Sequence, residues 1–420
     1  MVRRTFASLL IAAFVALGVY GTGAQAAQAA QAPPFIKIGT LYASAGPFAA
    51  ISMPVHKALQ LWEEQVNAQG GIYVKPYGKK IPIKIIAYDD QSSTSTAATL
   101  YNQLITQDKV DILVSDSGSV LTSVAVPIAR EHKMLLFDQT GTGMNFFTAD
   151  NPYIVLLSDP ISNLWPKNAA EFLTKEGPKL GIKRVALLYS TNDFTGSQAT
   201  GFRDVFKGSA IDVVYDHGVP TNTSSYTVLI QTIKALNPDA VIELGYPNND
   251  IAFLRDLQGS GTKFKMVFTV YPGLETDLLL KTVGEKGLAY TYTYTPPTAI
   301  KYKPDFGMNL DAFKAAWVKK YKDTTDFGFN AVAGYVTALV LEKTLATTDT
   351  MDQMALRKAV FALSGKLRTL DGTFMLRSDG AQIGELTPLG QIVPSGNGEV
   401  KFVILYPPEA ANGKAVYPAP

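Results

Sequence analysis

Short apolar runs that end in small polar residues recur along the chain, and each is followed by a stretch whose apolar positions return every three or four residues. Phe35 to Leu41 is the first such run, ending in Tyr42-Ala43-Ser44-Ala45-Gly46-Pro47; the next segment sets Val55, Leu59, Trp62 and Val66 on one stripe and stops at Gly70-Gly71. A run of that length suits a strand and a stripe at that spacing is the buried face of a helix. The unit recurs in a strand closing at Tyr88, the turn Asp89-Asp90-Gln91-Ser92, and a helix with Ala97, Tyr101 and Leu104 on its face. Its clearest copy runs from Asp111 to Gly143. There Ile112 to Val114 is a strand, Ser115 to Ser119 a turn rich in hydroxyls and glycine, and Leu135 to Phe137 a second strand that again ends in small polar residues, Asp138 through Gly143. In an open parallel sheet both turns fall at carboxyl ends of strands, where ligands bind, so two neighbouring loops built alike predict one pocket.

Tyr153 to Leu157 is a further strand that breaks at Ser158-Asp159-Pro160, and a second series begins after a helix near Leu164. Its strands are Arg184–Tyr189, Asp212–Tyr215, Ala240–Leu244 and Lys265–Thr269, with helix faces at Phe202, Val205 and Phe206 and at Leu229, Ile233 and Leu236. Strands alternating with helices, twice over, predict two α/β lobes with parallel sheets. Tyr290–Pro297 alternates and then breaks, as a connecting strand leaving a sheet does. Helices around Phe313–Tyr321, Ala331–Leu341 and Leu356–Leu363 follow without strands of their own and complete a lobe already built. Thr373–Leu376 and Val400–Tyr406 are short β-rich pieces that close the chain.

Composition narrows what the pocket can hold. Arg3 and Arg4, the apolar run from Phe6 to Tyr20, and Ala24-Gln25-Ala26 with Ala27-Gln28-Ala29 describe a secretory signal peptide over residues 1–30, too short for a convincing membrane anchor. Of the 38 Lys and Arg, two lie in that leader, which holds no acid, leaving 36 basic against 36 acidic residues. A neutral surface without a basic run has nothing to attract a polyanion, so no nucleic acid is expected as partner. No second apolar segment approaches spanning length, and the remainder is expected not to be membrane-embedded. Cysteine is absent, so stability rests on packing rather than disulfides, and no lipidated N-terminal cysteine can tether the chain. Export without an anchor points to the periplasm, with a monomer as the simplest state.

Enzyme chemistry finds no constellation. Asp116-Ser117-Gly118 looks like half of an aspartic-protease site without a second copy. In Asp138-Gln139-Thr140-Gly141-Thr142, Gln139 stands where the phosphorylated loop of a cation pump needs lysine, and Asp138 reads instead as a turn acid that accepts nearby N–H groups. His56, His132 and His217 have no partner at helical spacing, no Gly-x-Ser-x-Gly elbow presents a nucleophile, and Ser44-Ala45-Gly46-Pro47 breaks the glycine spacing of a dinucleotide site. No metal, no cofactor and no catalysis are expected. Trp62, Trp165 and Trp317 read as core or lobe-surface anchors.

The order and spacing of these pieces resemble the type I periplasmic solute-binding proteins that feed ABC importers, in particular the branched-chain amino-acid and amide group. The resemblance is carried by Ile36-Lys37-Ile38-Gly39 with Ser44-Ala45-Gly46-Pro47, by Val66-Asn67-Ala68-Gln69-Gly70-Gly71-Ile72, and by Ile85-Ile86-Ala87-Tyr88-Asp89-Asp90-Gln91. Pro127 through Leu136 and Val185-Ala186-Leu187-Leu188-Tyr189 with Asp193-Phe194-Thr195-Gly196 add to it. It implies an α/β, periplasmic-binding-protein type I fold: two Rossmann-like parallel-sheet lobes joined by a three-strand hinge. Residues 35–157 with 296–370 would form the N-terminal lobe, 158–290 with 373–408 the C-terminal lobe, and 409–420 a tail, the crossings falling near Leu157–Pro160, Tyr290–Thr295 and Leu370–Thr373.

It implies, too, a ligand closed between the lobes. On the N-terminal side the matching positions are Ser117, Gly118 and Ser119 in one loop and Gln139, Thr140, Gly141 and Thr142 in the next, with Ser44 and Gly46 nearby. Small residues let the backbone approach and helix-start amides favour an anion, which agrees with that assignment independently. On the other side Tyr189, Asn192 and Phe194, then Gly245 and Tyr246, then Tyr271 and Glu275 match the ligand loops, with Glu275 a candidate partner for a ligand amine. Should Glu275 face away, an amide or an aromatic or aliphatic carboxylate fits better, and the tyrosines at strand ends lean the same way. The implied function is capture of a small solute and its delivery to ABC transporter permease subunits. A ligand-sensing protein serving a receptor and an exported α/β hydrolase stand as alternatives.

Overall fold

The computed structural model describes residue 1, residues 31–322 and residues 324–420; the leader expected over residues 1–30 falls, Met1 apart, outside them. In the first lobe β1 (Ile36–Tyr42), β2 (Ile83–Asp89), β3 (Ile112–Val114), β4 (Leu136–Asp138) and β5 (Ile154–Leu156) form a five-stranded sheet in the order β2-β1-β3-β4-β5. Every pairing is parallel, with Ile38 opposite both Ile85 and Ile112. The short strands are continuous apolar runs because helices cover both faces of the sheet; Ile112, Leu113 and Val114 are all fully buried. The helices α1 (Ala49–Ala68), α2 (Thr94–Thr106) and α3 (Ser119–Glu131) return the chain between strands. The predicted stripes are their buried faces: Val55, Leu59 and Trp62 on α1, and Ala97, Tyr101 and Leu104 on α2.

The second lobe carries α4 (Lys167–Lys175), α5 (Asp193–Phe206), α6 (Thr227–Ala235), α7 (Pro247–Ser260) and α8 (Thr276–Leu288) around a seven-stranded sheet. Its strands are β6 (Arg184–Ser190), β7 (Asp212–Val219), β8 (Ala240–Leu244), β9 (Val267–Phe268), β10 (Tyr292–Tyr294), β11 (Leu389–Pro394) and β12 (Val400–Tyr406), in the order β12-β11-β10-β9-β8-β6-β7. The strands from β6 to β10 pair in parallel, whereas β11 and β12 run antiparallel to their neighbours. A tight turn joins those two, Ser395 N donating to Glu399 O at 3.0 Å, and such a short connection permits only antiparallel strands. Gly390 and Pro394 hide β11 from a propensity reading. Tyr290–Pro297, read as leaving a sheet, instead supplies β10, paired on both sides.

Three more helices, α9 (Leu310–Tyr321), α10 (Phe329–Thr347) and α11 (Gln353–Leu363), complete the first lobe, as their lack of strands implied; Trp317, Val336, Leu339 and Leu356 share one core with Ile38 and Val114. Helix α10 crosses α1 so closely at Gly334 that a Cβ there would lie 2.6 Å from Val55 O, a contact only glycine allows.

The third crossing needs correction. Leu370 and Phe374 belong to the first lobe's core, and the pair around Leu370–Thr373 is a small hairpin, Arg368–Thr369 against Gly372–Thr373. Farther along, Gly380 O accepts from Leu156 N at 2.9 Å and Gln382 O from Ile161 N at 2.8 Å. The chain thus stays with the first lobe until residue 382 and crosses between 383 and 388. Residues 409–420, expected as a separate tail, extend the second lobe: Val416 N donates to Gln391 Oε1 at 2.8 Å, Tyr292 Oη to Val416 O at 3.1 Å, and Ala419 N to Lys265 O at 2.8 Å. Among the described residues no helix is long and apolar enough to cross a membrane.

Candidate functional site

The two hydroxyl-rich loops after β3 and β4 are tied to one another. Ser117 Oγ and Thr140 Oγ1 are 2.9 Å apart, and Gly118 N donates to the same Thr140 oxygen at 2.9 Å. Gly118 opens α3 with φ of +81°, a conformation natural to glycine, and thereby brings bare backbone to the cleft. Beneath the loops each strand end holds a buried acid that shapes its turn. Asp90 accepts from Ser92 N, Asp116 from Ser117 N and Ser52 Oγ, and Asp138 Oδ1 from Gly141 N and Ser115 Oγ, both at 2.8 Å. Burial raises their pKa values, to about 6 for Asp90 and about 7 for Asp138, and well above the usual range for Asp116, where Asp90 adds repulsion.

These loops border one hollow between the lobes. The first lobe contributes Ile51, Ser117, Gly118, Thr140, Phe329 and Asn330, the first crossing Asp159, and the second lobe Trp165, Phe194, Tyr246 and Tyr271. The rings pack edge to face or tilted, Trp165 lying 5.1 Å from Phe194 and 5.7 Å from Phe329, and Phe194 lying 5.2 Å from Tyr246. Tyr246 reaches across the gap, its hydroxyl facing the first amides of α3, Ser119 and Val120, without a completed hydrogen bond. The space enclosed is about 10 Å³, room for about one water, so a larger solute enters only when the lobes part.

Other residues predicted for the site are placed elsewhere, each for a visible reason. Ser44 and Gly46 are exposed at the cleft mouth, where Ser44 bonds Asp89. The Gln139 amide turns back to Ser115 O at 2.6 Å, Thr142 Oγ1 pairs with Ser162 Oγ at 2.6 Å, and Gly141 packs on Thr122. Ser119 lies one position behind the lining, its Oγ accepting from Gly143 N at 3.0 Å. Tyr189 lies under the Arg203 guanidinium, 5.0 Å from it. Asn192 is taken up as the N-cap of α5, accepting from Phe194 N and Thr195 N, and Gly245 packs on Asn249. Glu275 is buried but bonds Asn330 N and Nδ2, and it lines a neighbouring pocket of about 330 Å³ rather than the hollow. Burial raises its pKa to about 7, with the Asn330 bonds opposing.

Five lining residues were not predicted: Ile51, Asp159, Trp165, Phe329 and Asn330. Trp165, read as an anchor, is a wall of the hollow, fixed there by Nε1 donating to Pro160 O at 2.7 Å; Trp62 and Trp317 are indeed core residues. The position of Trp165 just past Ser158-Asp159-Pro160 was the available signal. Phe329 and Asn330 begin α10, and nothing local marks them. Among the described residues no lysine, arginine or histidine lines the hollow, so an acid group there meets hydroxyls, amides, phenols and the Asp159 carboxyl rather than a basic side chain.

Two α/β lobes crossed three times by the chain, with a hollow lined by hydroxyls and rings between them, define the type I solute-binding architecture. Among the described residues no group of three or more His, Asp or Glu is placed to hold a metal ion. Residues 35–396 match the family model described as periplasmic binding protein, and the chain belongs to that family. The Leu/Ile/Val-binding protein homolog 7 of Brucella melitensis is 25% identical over 342 residues, 80% of this chain and 83% of that protein. The branched-chain amino acid transporter substrate binding protein LivJ of Streptococcus pneumoniae, solved with isoleucine, superposes with a TM-score of 0.72 at 19% identity, covering 89% of this chain and all of that one. An ABC transporter solute-binding protein of R. palustris in complex with benzoate gives 0.70 at 19% identity, covering 91% and 98%.

Proposed function

We propose that the protein captures a small solute bearing a carboxylate or amide in the periplasm, closes its lobes on it, and presents it, as a monomer, to the permease subunits of an ABC importer. The acid or amide head lies against Ser117, Gly118 and Thr140 at the start of α3, taking the place held in the closed structure by the Tyr246 hydroxyl. Helix-start amides favour an anion there without a charged side chain. The apolar body lies among Trp165, Phe194, Tyr271 and Phe329. Lobe closure follows from a ligand that touches both walls and so stabilises the closed form over the open one.

The observation that carries this reading is the make-up of the hollow, hydroxyls and bare backbone on one side and rings on the other. Structural relatives hold isoleucine, benzoate and 3,4-dihydroxybenzoic acid, all carboxylic acids. Within that range an aromatic or aliphatic acid is favoured over an amino acid, because Glu275 is engaged by Asn330 outside the hollow. The test is thermal unfolding of dialysed or refolded protein with leucine, isoleucine, benzoate, 3,4-dihydroxybenzoate and short amides. A true ligand at a hundred times its dissociation constant adds about 2.7 kcal/mol. A flat response to every acid and amide overturns the reading.

A further inference from the structure

Asp159 lies in the first crossing, three residues past β5, and lines the hollow together with Ser117 and Thr140. It is 3% exposed. Among the described residues its carboxyl has one hydrogen bond, from Ser158 Oγ to Oδ1 at 3.2 Å, and Oδ2 has none. The titratable groups around it are acids and a phenol: Asp138 at the end of β4, Asp371 in the 368–373 hairpin, Glu385 in the third crossing, and Tyr271 on the second lobe. Glu385 is fixed there by Thr369 Oγ1 at 2.6 Å and by Gln382 Nε2, which also donates to Ser158 O at 2.8 Å; Asp371 is buried with both oxygens unpartnered. Among the described residues no basic group offsets these acids. Burial first, and repulsion from Asp371 second, hold the Asp159 pKa well above the ordinary carboxylate range.

We propose that Asp159 is a ligand-binding residue, giving a hydrogen bond from its carboxyl O–H to the acid group of a solute seated at Ser117 and Thr140. The inference rests on reading the hollow as the solute site and adds a proton requirement to it. An ionised Asp159 would repel a carboxylate strongly in a site of low dielectric, whereas the neutral acid donates a charge-assisted bond to it. The proton stays on Asp159, so affinity for an acid is full below its titration and falls as pH rises through it. Because the residue sits on a crossing, the same bond joins the solute to a segment that links the two lobes.

The test is calorimetric titration of benzoate, 3,4-dihydroxybenzoate and isoleucine, with benzamide as a neutral control, into the wild-type protein and the Asp159→Asn and Asp159→Ala variants between pH 5 and pH 9. Wild-type affinity for the bound acid is expected to fall by about tenfold for each pH unit above the titration, with benzamide unaffected. Asp159→Asn, which keeps an N–H donor, should bind with little pH dependence, and Asp159→Ala should bind more weakly at low pH. An Asp159→Ala affinity for the acid equal to that of the wild type at low pH, a slope that survives in Asp159→Asn, or an equal slope for benzamide overturns the inference alone. If none of the acids or benzamide binds the wild type, the reading of the hollow falls and this inference with it.

Discussion

Gly118 and Tyr246 meet across the cleft: a Cβ on Gly118 would stand 3.4 Å from Tyr246 Oη and 2.9 Å from Ile51 Cδ1. Two lobes that approach this closely through a residue without a side chain leave no slack for one. Gly118→Ala is therefore expected to strain the start of α3 by about 1–3 kcal/mol, from its positive φ, and to hold the lobes apart. Urea unfolding should show the first effect, and calorimetry a loss of solute affinity of about tenfold or more.

Trp165 is the one tryptophan on the hollow, while Trp62 and Trp317 are buried in the first lobe. A bound solute should change the emission of Trp165, and Trp165→Phe should abolish that change. A signal that persists in the variant would place the solute elsewhere.

Glu275 titrates near pH 7 when folded against an ordinary 4.5, because burial favours its neutral form. The folded chain thus holds this proton more tightly than the unfolded one, and the residue costs stability progressively as pH rises from about 4.5 to about 7, then no further. Glu275→Gln removes the titration and keeps an acceptor for Asn330. It should leave stability unchanged at pH 4.5 and raise it by on the order of 1–3 kcal/mol at pH 8, as read by denaturant unfolding.

The cleft mouth is bridged by side chains from opposite lobes. Asn248 Nδ2 donates to Pro47 O at 3.2 Å, and Asn145 Nδ2 donates to Asp193 Oδ1 at 2.7 Å. These bonds span the two lobes, so Asn248→Ala and Asn145→Ala should each weaken the closed form by about 0.5–1.5 kcal/mol. Stopped-flow release of bound solute should quicken severalfold in each, with unchanged unfolding of the separate lobes.

The architecture was legible because its signal is redundant. Ala240–Leu244 reads as a central strand from four apolar residues in five, and the α1 stripe from four positions at helical spacing. Ser117, Gly118 and Thr140 were reachable because loops at parallel strand ends share an address, whatever their partners. Within those loops, though, neighbouring side chains point opposite ways, and only the fold shows that Gln139 turns to Ser115 and Thr142 to Ser162. Asn192 looked like a ligand group and is a helix cap; both uses favour the same residue type. Phe329 and Asn330 arrive at the hollow from a distant helix, and the late third crossing was masked by a hairpin that imitates it.

The closing stretch of the chain is stitched to β10 and β11 of one half, through Tyr292 and Gln391, while Ala32 packs on the core of the other. Labels at residues 32 and 420 therefore ride on opposite jaws, and energy transfer between two dyes placed there becomes a ruler for each swing of the molecule.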